Sequence, residues 1–265
     1  MTRAEKVARF RAMHAERRAF VMPNPWDEGS ARMAAHLGFE AVATTSAGFA
    51  FTLGRLDYQV SRTEALDHAA RIVAAVPDLP VSGDLENGWA DEPEGVARLV
   101  REAAEAGLAG LSIEDVHDGG HPYGFDGAVA RIEAAVEAAR EADIVLCARA
   151  DGWMTKAYDL DEAERRIAAF ASAGADCLYC PLLRDMDAVR RFAVHGPLNV
   201  LMGVGRPQAS QAELAGAGVA RISTGSAVAR AAYGGAWQAM EAMAGGDFAP
   251  LEARSKAAAF DEALG

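Results

Sequence analysis

Residues 79–115 read LPVSGDLENGWADEPEGVARLVREAAEAGLAGLSIED, and this stretch decides the fold. A short apolar run, LPVSGDLE (79–86), gives way to a segment whose apolar residues Val96, Leu99, Val100, Ala103 and Ala106 recur on one helical face and stop at Gly107. A second apolar run, AGLSIED (109–115), follows at once. Strand, one-faced helix, strand is the signature of two parallel strands joined by a crossover, because antiparallel neighbours need only a tight turn. Asp91-Glu92-Pro93-Glu94 supplies the helix start, a capping residue with Glu three positions on.

The same unit recurs in both directions along the chain. The runs AFVMPN (19–24), EAVATTS (40–46), DIVLCARAD (143–151), DCLYCPL (176–182), LNVLMG (198–203) and ARISTG (220–225) bring the strands to eight. Between them, Asn24-Pro25 reads as an N-cap with proline in the first helical position, and the helix it opens stops at Gly38. Ser61 with Glu64 and Asp159 with Glu162 read as capping boxes, and Gly174 ends the helix that carries Ile167 and Phe170. Eight alternating units in 265 residues predict an α/β fold, a closed (β/α)8 TIM barrel over residues 1–265 with additional N-terminal and C-terminal helices. An open dinucleotide-binding sheet would place G-x-G-x-x-G after an early strand, and the sequence has none there.

Composition narrows the function classes. Lys and Arg number 26 against 38 Asp and Glu, a formal charge of −12, which argues against nucleic acid or an anionic membrane surface as partner. Three cysteines (Cys147, Cys177, Cys180) fit a reducing, cytoplasmic setting without a disulfide framework. Residues 1–20 mix Arg with Glu and read as a polar leading helix, not a secretory signal, and no apolar run is long enough to span a membrane.

In a barrel of this kind, reactive groups gather at the C-terminal ends of the strands. Those ends carry Asn24-Pro25-Trp26, Thr45-Ser46-Ala47-Gly48, Asp84-Leu85-Glu86, Glu114-Asp115 and Arg149-Ala150-Asp151, with Asn199 at the start of the seventh strand. Residues i and i+2 of a strand share a face, so Asp84 with Glu86 and Arg149 with Asp151 are expected to point together. Taken singly, Asp115 or Asp151 reads equally as a rim charge or helix cap. As a set, carboxylates crowded at a barrel mouth call for a cation, and an all-oxygen set suits Mg²⁺ or Mn²⁺ better than zinc. Cys177 and Cys180 match C-x-x-C, but an offset of three within a strand puts the sulfurs on opposite faces. His117 and His121 sit in a Gly- and Pro-rich loop, Val116 to Gly127, that reads as a lid over the mouth. Gly203-Val204-Gly205 and Thr224-Gly225-Ser226 resemble a barrel phosphate site.

These pieces resemble the isocitrate lyase/phosphoenolpyruvate mutase superfamily: PNPWDEGSARMAAHLGFEAVATTSAG (23–48), LGRLD (53–57), PVSGDLENG (80–88), GLSIED (110–115), CARAD (147–151), AGADCLYCP (173–181) and the stretch from PLNVLMG to ARISTGS (197–226). The resemblance implies Asp84, Glu86 and Glu114 as the Mg²⁺ set, with Asp57 in the same acidic group. It implies Ser46, Ala47, Gly48, Trp26, Arg149 and Asn199 around a small anionic carboxylate substrate. It also implies a homotetramer, with the helical 226–264 region exchanged between subunits. The reaction implied is C–C cleavage of a 2-oxo or 2-hydroxy carboxylate through an enolate stabilised by the metal and Arg149. The alternatives are an oxaloacetate or phosphonopyruvate hydrolase, a phosphoenolpyruvate phosphomutase-like enzyme, and a non-catalytic carboxylate-binding barrel. Lyases of the superfamily carry K-K-C-G-H on the loop after the fourth strand; here that loop has no Cys, Lys or Asn, so His121 or Tyr123 is expected to handle the proton.

Overall fold

The computed structural model describes residues 1–117, 120–203, 207–252 and 257–265. Its strands are β1 (Phe20–Met22), β2 (Val42–Ala43), β3 (Val81–Asp84), β4 (Gly110–Glu114), β5 (Val116–His117), β6 (His121–Pro122), β7 (Val145–Arg149), β8 (Cys177–Tyr179), β9 (Leu198–Leu201) and β10 (Val219–Ser223). All eight expected strands are present as one parallel sheet in the order β1-β10-β9-β8-β7-β4-β3-β2, a nearly closed (β/α)8 barrel. The β1–β2 seam has no ladder but is bridged by Ala43 N–H to the Pro23 carbonyl at 3.1 Å. Asn24 tightens it further: Nδ2 donates to the Thr44 carbonyl (2.9 Å), while Oδ1 accepts from Thr224 N–H (2.9 Å) and Gly225 N–H (3.0 Å). One amide thereby ties three strand ends.

The helices are α1 (Arg3–Ala15), α2 (Glu28–His36), α3 (Ser46–Thr52), α4 (Arg62–Ala75), α5 (Pro93–Glu105), α6 (Phe125–Glu141), α7 (Leu160–Ala173), α8 (Met186–Ala193), α9 (Gln211–Gly216), α10 (Ala227–Ala244) and α11 (Ala257–Leu264). Several helix starts differ from the sequence reading. Because Asn24 is committed to the seam, α2 is capped by Asp27, which accepts from Ser30 N–H at 2.7 Å. Helix α5 opens on Pro93 without a side-chain cap, and Asp91 instead accepts from the Tyr123 hydroxyl. Asp159 does cap α7, but Glu162 turns to Arg165 and Arg166 rather than closing the box. Ser61 and Glu64 form a complete one.

Along each strand the alternation sends one set of side chains outward into the layer shared with the helices and the other into the barrel. Helix α1 closes the N-terminal end, where Val7, Phe10 and Met13 pack on Phe20, Met22, Ala41, Ala43, Ala109 and Val145. Cys177 faces inward with Cys147 and Tyr179, whereas Cys180 joins the outer layer, and all three cysteines are free and buried. Val116–Pro122, expected to be an irregular lid, folds as the β5–β6 hairpin on its described residues; Asp118 and Gly119 lie outside them. No described helix is long and apolar enough to cross a membrane.

The plug at the closed end leaves no spare volume. A Cβ on Gly110 would come within 2.6 Å of Phe10 Cε1 and 3.0 Å of the Val145 carbonyl. Gly110→Ala is expected to destabilise the fold by about 1–3 kcal/mol, the usual range for overpacking, read as a lower urea midpoint at unchanged slope.

Candidate active site

At the open end, β3, β4, β7, β9 and β10 each contribute inward residues to one central cavity of about 160 Å³. Its wall includes Asp84, Glu114, Arg149, Tyr179, Asn199 and Ser223 from strands, and Ser46, Ala47, Asp57 and Tyr58 from the α3 region. The guanidinium of Arg149 occupies the centre. It pairs with Asp84 through Nη1 (2.7 Å), with Glu114 through Nη2 (3.0 Å), and with Asp151 through both Nε (2.9 Å) and Nη2 (2.6 Å). The Tyr179 ring lies 4.8 Å beneath it. Asp84 is held from the other side by the Ser46 N–H (3.0 Å) and hydroxyl (3.2 Å), which start α3.

Three carboxylates therefore share one guanidinium, and a fourth, Asp57, lines the same cavity. Burial raises Asp57, and Asp84 across the cavity raises it further. Burial also lifts Glu114 well above the usual carboxylate range against the pull of Arg149, and lifts Asp151 to about 6. Arg149 stays charged despite its burial because Asp151, Glu114 and Asp84 surround it. Burial is the leading cause at Asp57, Glu114 and Asp151, and the neighbouring carboxylates add to it.

The expected residues divide in two. Asp57, Asp84, Glu114, Arg149, Ser46, Ala47 and Asn199 come together in the cavity wall. Glu86 does not share the face of Asp84: β3 ends at Asp84, and Glu86 takes φ +46°, which breaks the strand alternation and turns it into a small adjoining cavity beside His68 and Trp89. Asp84 lines both cavities, so Glu86 adjoins it from the smaller one and Glu114 from the larger, while among the described residues no three His, Cys, Asp or Glu are grouped as a ready metal centre. Gly48 donates its N–H to Thr45 Oγ1 and packs against Trp26, whose carbonyl meets His68 Nε2, so neither offers a group to the cavity. His121 is exposed on the hairpin. Tyr123 is a brace: its hydroxyl accepts from Asn87 and donates to Asp91, with the Arg131 guanidinium 3.8 Å from its ring. Of the suspected phosphate loops, Val204 and Gly205 lie outside the described residues, and the Thr224 and Gly225 amides are taken by Asn24. Asp115 is structural, accepting from Asp151 N–H, Tyr158 and Arg166.

Sequence reasoning missed three groups. Tyr58 has φ +62°, unusual for a bulky residue, and its hydroxyl donates to Glu114 Oε2 at 2.8 Å. Arg221, buried below the cavity, bonds Asn199 Oδ1 (2.9 Å), His14 Nε2 (3.2 Å) and Cys147 Sγ (3.1 Å), with no ion pair among the described residues. Ser223 lies two residues further along the same face. Only the alternation of β10 hinted at Arg221 and Ser223, and only its place beside Asp57 hinted at Tyr58. Burial works to raise the Cys147 thiol, but a hydrogen bond with Cys177 and the nearby Arg221 bring it down to about 7.

The sequence pattern described as phosphoenolpyruvate phosphomutase matches residues 10–244. A crystal structure of a Burkholderia cenocepacia J2315 protein, described as a candidate lyase/mutase, superposes with a TM-score of 0.90 at 44% identity, covering 95% of this chain and 92% of that one. The oxaloacetate decarboxylase of Chromohalobacter salexigens is 31% identical over 82% of this chain and 78% of its own. The 2,3-dimethylmalate lyase of Eubacterium barkeri is 31% identical over 78% and 68%.

Burial, then the Arg221 charge, pushes the His14 ring down from 6.5 to about 3. The neutral ring is the form folding favours, so its contribution is complete above pH 6.5 and is lost as pH falls toward 3. The stability advantage of the wild type over His14→Gln should therefore shrink by about 2 kcal/mol between pH 7 and pH 5, measured by urea unfolding at each pH. His68, Asp151 and Glu114 titrate in both proteins and cancel in that comparison.

Proposed function

The chain belongs to the phosphoenolpyruvate phosphomutase family, and from that premise we propose that it is a Mg²⁺-dependent lyase that cleaves a C–C bond of a small 2-oxo carboxylate through an enolate. The observation that supports this reading is the single guanidinium of Arg149 set among four carboxylates in a compact cavity. The surplus negative charge and all-oxygen donors suit Mg²⁺, which typically keeps several waters and needs only one or two carboxylates. Asp84 and Asp57 are the residues that would hold it; Glu114 is committed to Arg149 and Tyr58. When bound, the ion supplies Lewis acidity toward the substrate's oxygen atoms.

The protein's own groups divide the remaining tasks. Arg149 binds the substrate carboxylate and faces the charge that develops on bond cleavage. Ser46 orients Asp84, and Tyr179 supports the guanidinium from below. Tyr58 holds a proton on its hydroxyl at the cavity wall, which puts it where the loop residues His121 and Tyr123 are not. Among the described residues, no His, Lys or Cys lines the cavity. Cleaving a 2-hydroxy acid requires a base for the hydroxyl proton, whereas a 2-oxo acid with a β-carboxylate needs an electron sink for loss of CO₂ and then a proton for the enolate carbon, which Tyr58 would deliver, so an oxaloacetate-type substrate is favoured. The oxaloacetate named in one relative's activity agrees with that choice.

The deciding experiment gives the protein oxaloacetate, phosphonopyruvate, 2-methylisocitrate, isocitrate and 2,3-dimethylmalate with Mg²⁺ or with EDTA, and identifies products. Pyruvate and CO₂ from oxaloacetate, only with Mg²⁺, is the expected result. Oxalate with acetate, or phosphate, would make it a hydrolase, and binding without turnover a non-catalytic barrel. Tyr58→Phe should lower kcat by about 100-fold or more, as loss of a proton-transfer group does.

A homo-oligomer is part of the same proposal. Helix α10 and the segment after it expose Tyr233 (43%), Trp237 (72%), Met240 (66%) and Phe248 (60%), a row that a second copy of the chain would cover. Helix α11 packs on α2 of its own chain, with Arg32 donating to the Leu264 carbonyl. Light scattering should report a tetramer for the wild type and smaller species for Trp237→Glu.

A further inference from the structure

The floor of the cavity fixes the direction of a hydrogen-bond chain by donor and acceptor count alone. A guanidinium only donates, so the atom of Asn199 that meets Arg221 Nε at 2.9 Å must be the amide oxygen. That leaves Asn199 Nδ2 as the donor toward Ser223 Oγ at 2.9 Å. The ordinary ambiguity of an amide side chain is removed here by its charged neighbour. The Asn199 oxygen is thereby committed to Arg221 and one Nδ2–H to Ser223, so the Ser223 oxygen already receives a proton. Its own O–H has to point elsewhere.

Geometry says where. Arg221 and Ser223 are two apart on β10 and share the inward face, and Ser223 is the nearer of the two to the strand's C-terminal end. In the barrel register Arg221 is level with Asn199, while Ser223 is level with Leu201 and Met22, one layer nearer the mouth. Both residues line the cavity, and Ser223 is 6% exposed.

We propose that Ser223 is a specificity-determining residue whose hydroxyl, its proton aimed by the Arg221–Asn199 pair, reads an acceptor oxygen at the deep end of the substrate. Arg221 and Asn199 are positioning residues that act through it. The ligand class this selects is a short oxo acid with a second carboxylate; an acid of the same length ending in a methyl group leaves the hydroxyl without a partner. The inference rests on the small-carboxylate reading of the site and adds to it which end of the substrate is recognised and by what.

The test compares oxaloacetate with 2-oxobutyrate, which carries a methyl group in place of the second carboxylate, in wild type, Ser223→Ala, Ser223→Thr, Asn199→Asp and the double variant Ser223→Ala/Asn199→Asp. The readout is Kd with Mg²⁺ present, or KM where oxaloacetate is turned over. Ser223→Ala should weaken oxaloacetate by about 10- to 100-fold, the usual range for a hydrogen bond to a charged group, and 2-oxobutyrate by less than about 3-fold. Asn199→Asp keeps an acceptor for Arg221 but offers a second acceptor to Ser223, so its hydroxyl turns away from the cavity and the same selectivity is lost. The double variant should be no worse than either single one, and Ser223→Thr should retain the preference. Additive losses, or an equal loss for both acids, would overturn the proposal while leaving the site reading intact. Failure of the wild type to bind either acid would overturn both.

Discussion

Burying one guanidinium among several carboxylates constrains everything built around it. Separating a buried charge from its partners costs about 3–5 kcal/mol, so the elements that carry Asp84, Glu114 and Asp151 must all arrive in register with Arg149. They do so through the ladder itself: Glu114 and Arg149 are direct partners across β4 and β7, and Asp84 enters from β3 one strand further on. Asp151 follows Arg149 by two residues and grips it with both oxygens. Asp115 then accepts the Asp151 N–H and pairs with Arg166 of α7, which also donates to the Tyr123 carbonyl. The centre is thereby tied to the outer helices and to the strand that leaves the hairpin.

The barrel interior has a second cation with the opposite arrangement. Arg221 has neutral or weakly acidic neighbours where Arg149 has carboxylates: an amide, an imidazole held neutral by burial, and a thiol drawn toward ionisation. The cavity is therefore polar along its axis, with carboxylates around Arg149 at one level and an amide and a hydroxyl beside Arg221 at the other.

What the sequence disclosed follows from how local each signal is. The eight strands were legible because each is a short apolar run closed by a turn, and Arg149 with Asp151 behaved as strand alternation requires. The same rule failed at Glu86 because alternation holds only while the backbone stays extended, and φ +46° there is invisible in the letters LEN. Asn24 looked like a helix cap because Asn-Pro usually is one; three hydrogen bonds to the strand seam outweigh the one a cap would give. His121 and Tyr123 carry proton-transfer chemistry in the letters, but β5 and β6 pair as a hairpin, and neither residue is in the cavity lining. Tyr58 lies just past LGRLD and Ser223 inside ARISTG, but nothing in those letters singles either out, because their partners are 56 and 24 residues distant.

The outer surface and the site are less separate than their distance along the chain suggests. Gly225 and Ser226, which precede α10, line the cavity, and Ala229 in its first turn lies against Gly48 of α3, the helix whose Ser46 holds Asp84. A Cβ at Gly48 would meet Thr45 Cγ2 at 2.5 Å and Trp26 Cβ at 3.0 Å, so the start of α3 is packed tightly on Trp26, with Ala229 of α10 in ordinary contact at 3.4 Å. The exposed apolar row of α10 begins one turn later, at Tyr233. One helix thus carries the exposed row at its far end and adjoins the cavity wall at its near end, where Ala229 lies against α3, the helix whose Ser46 holds Asp84.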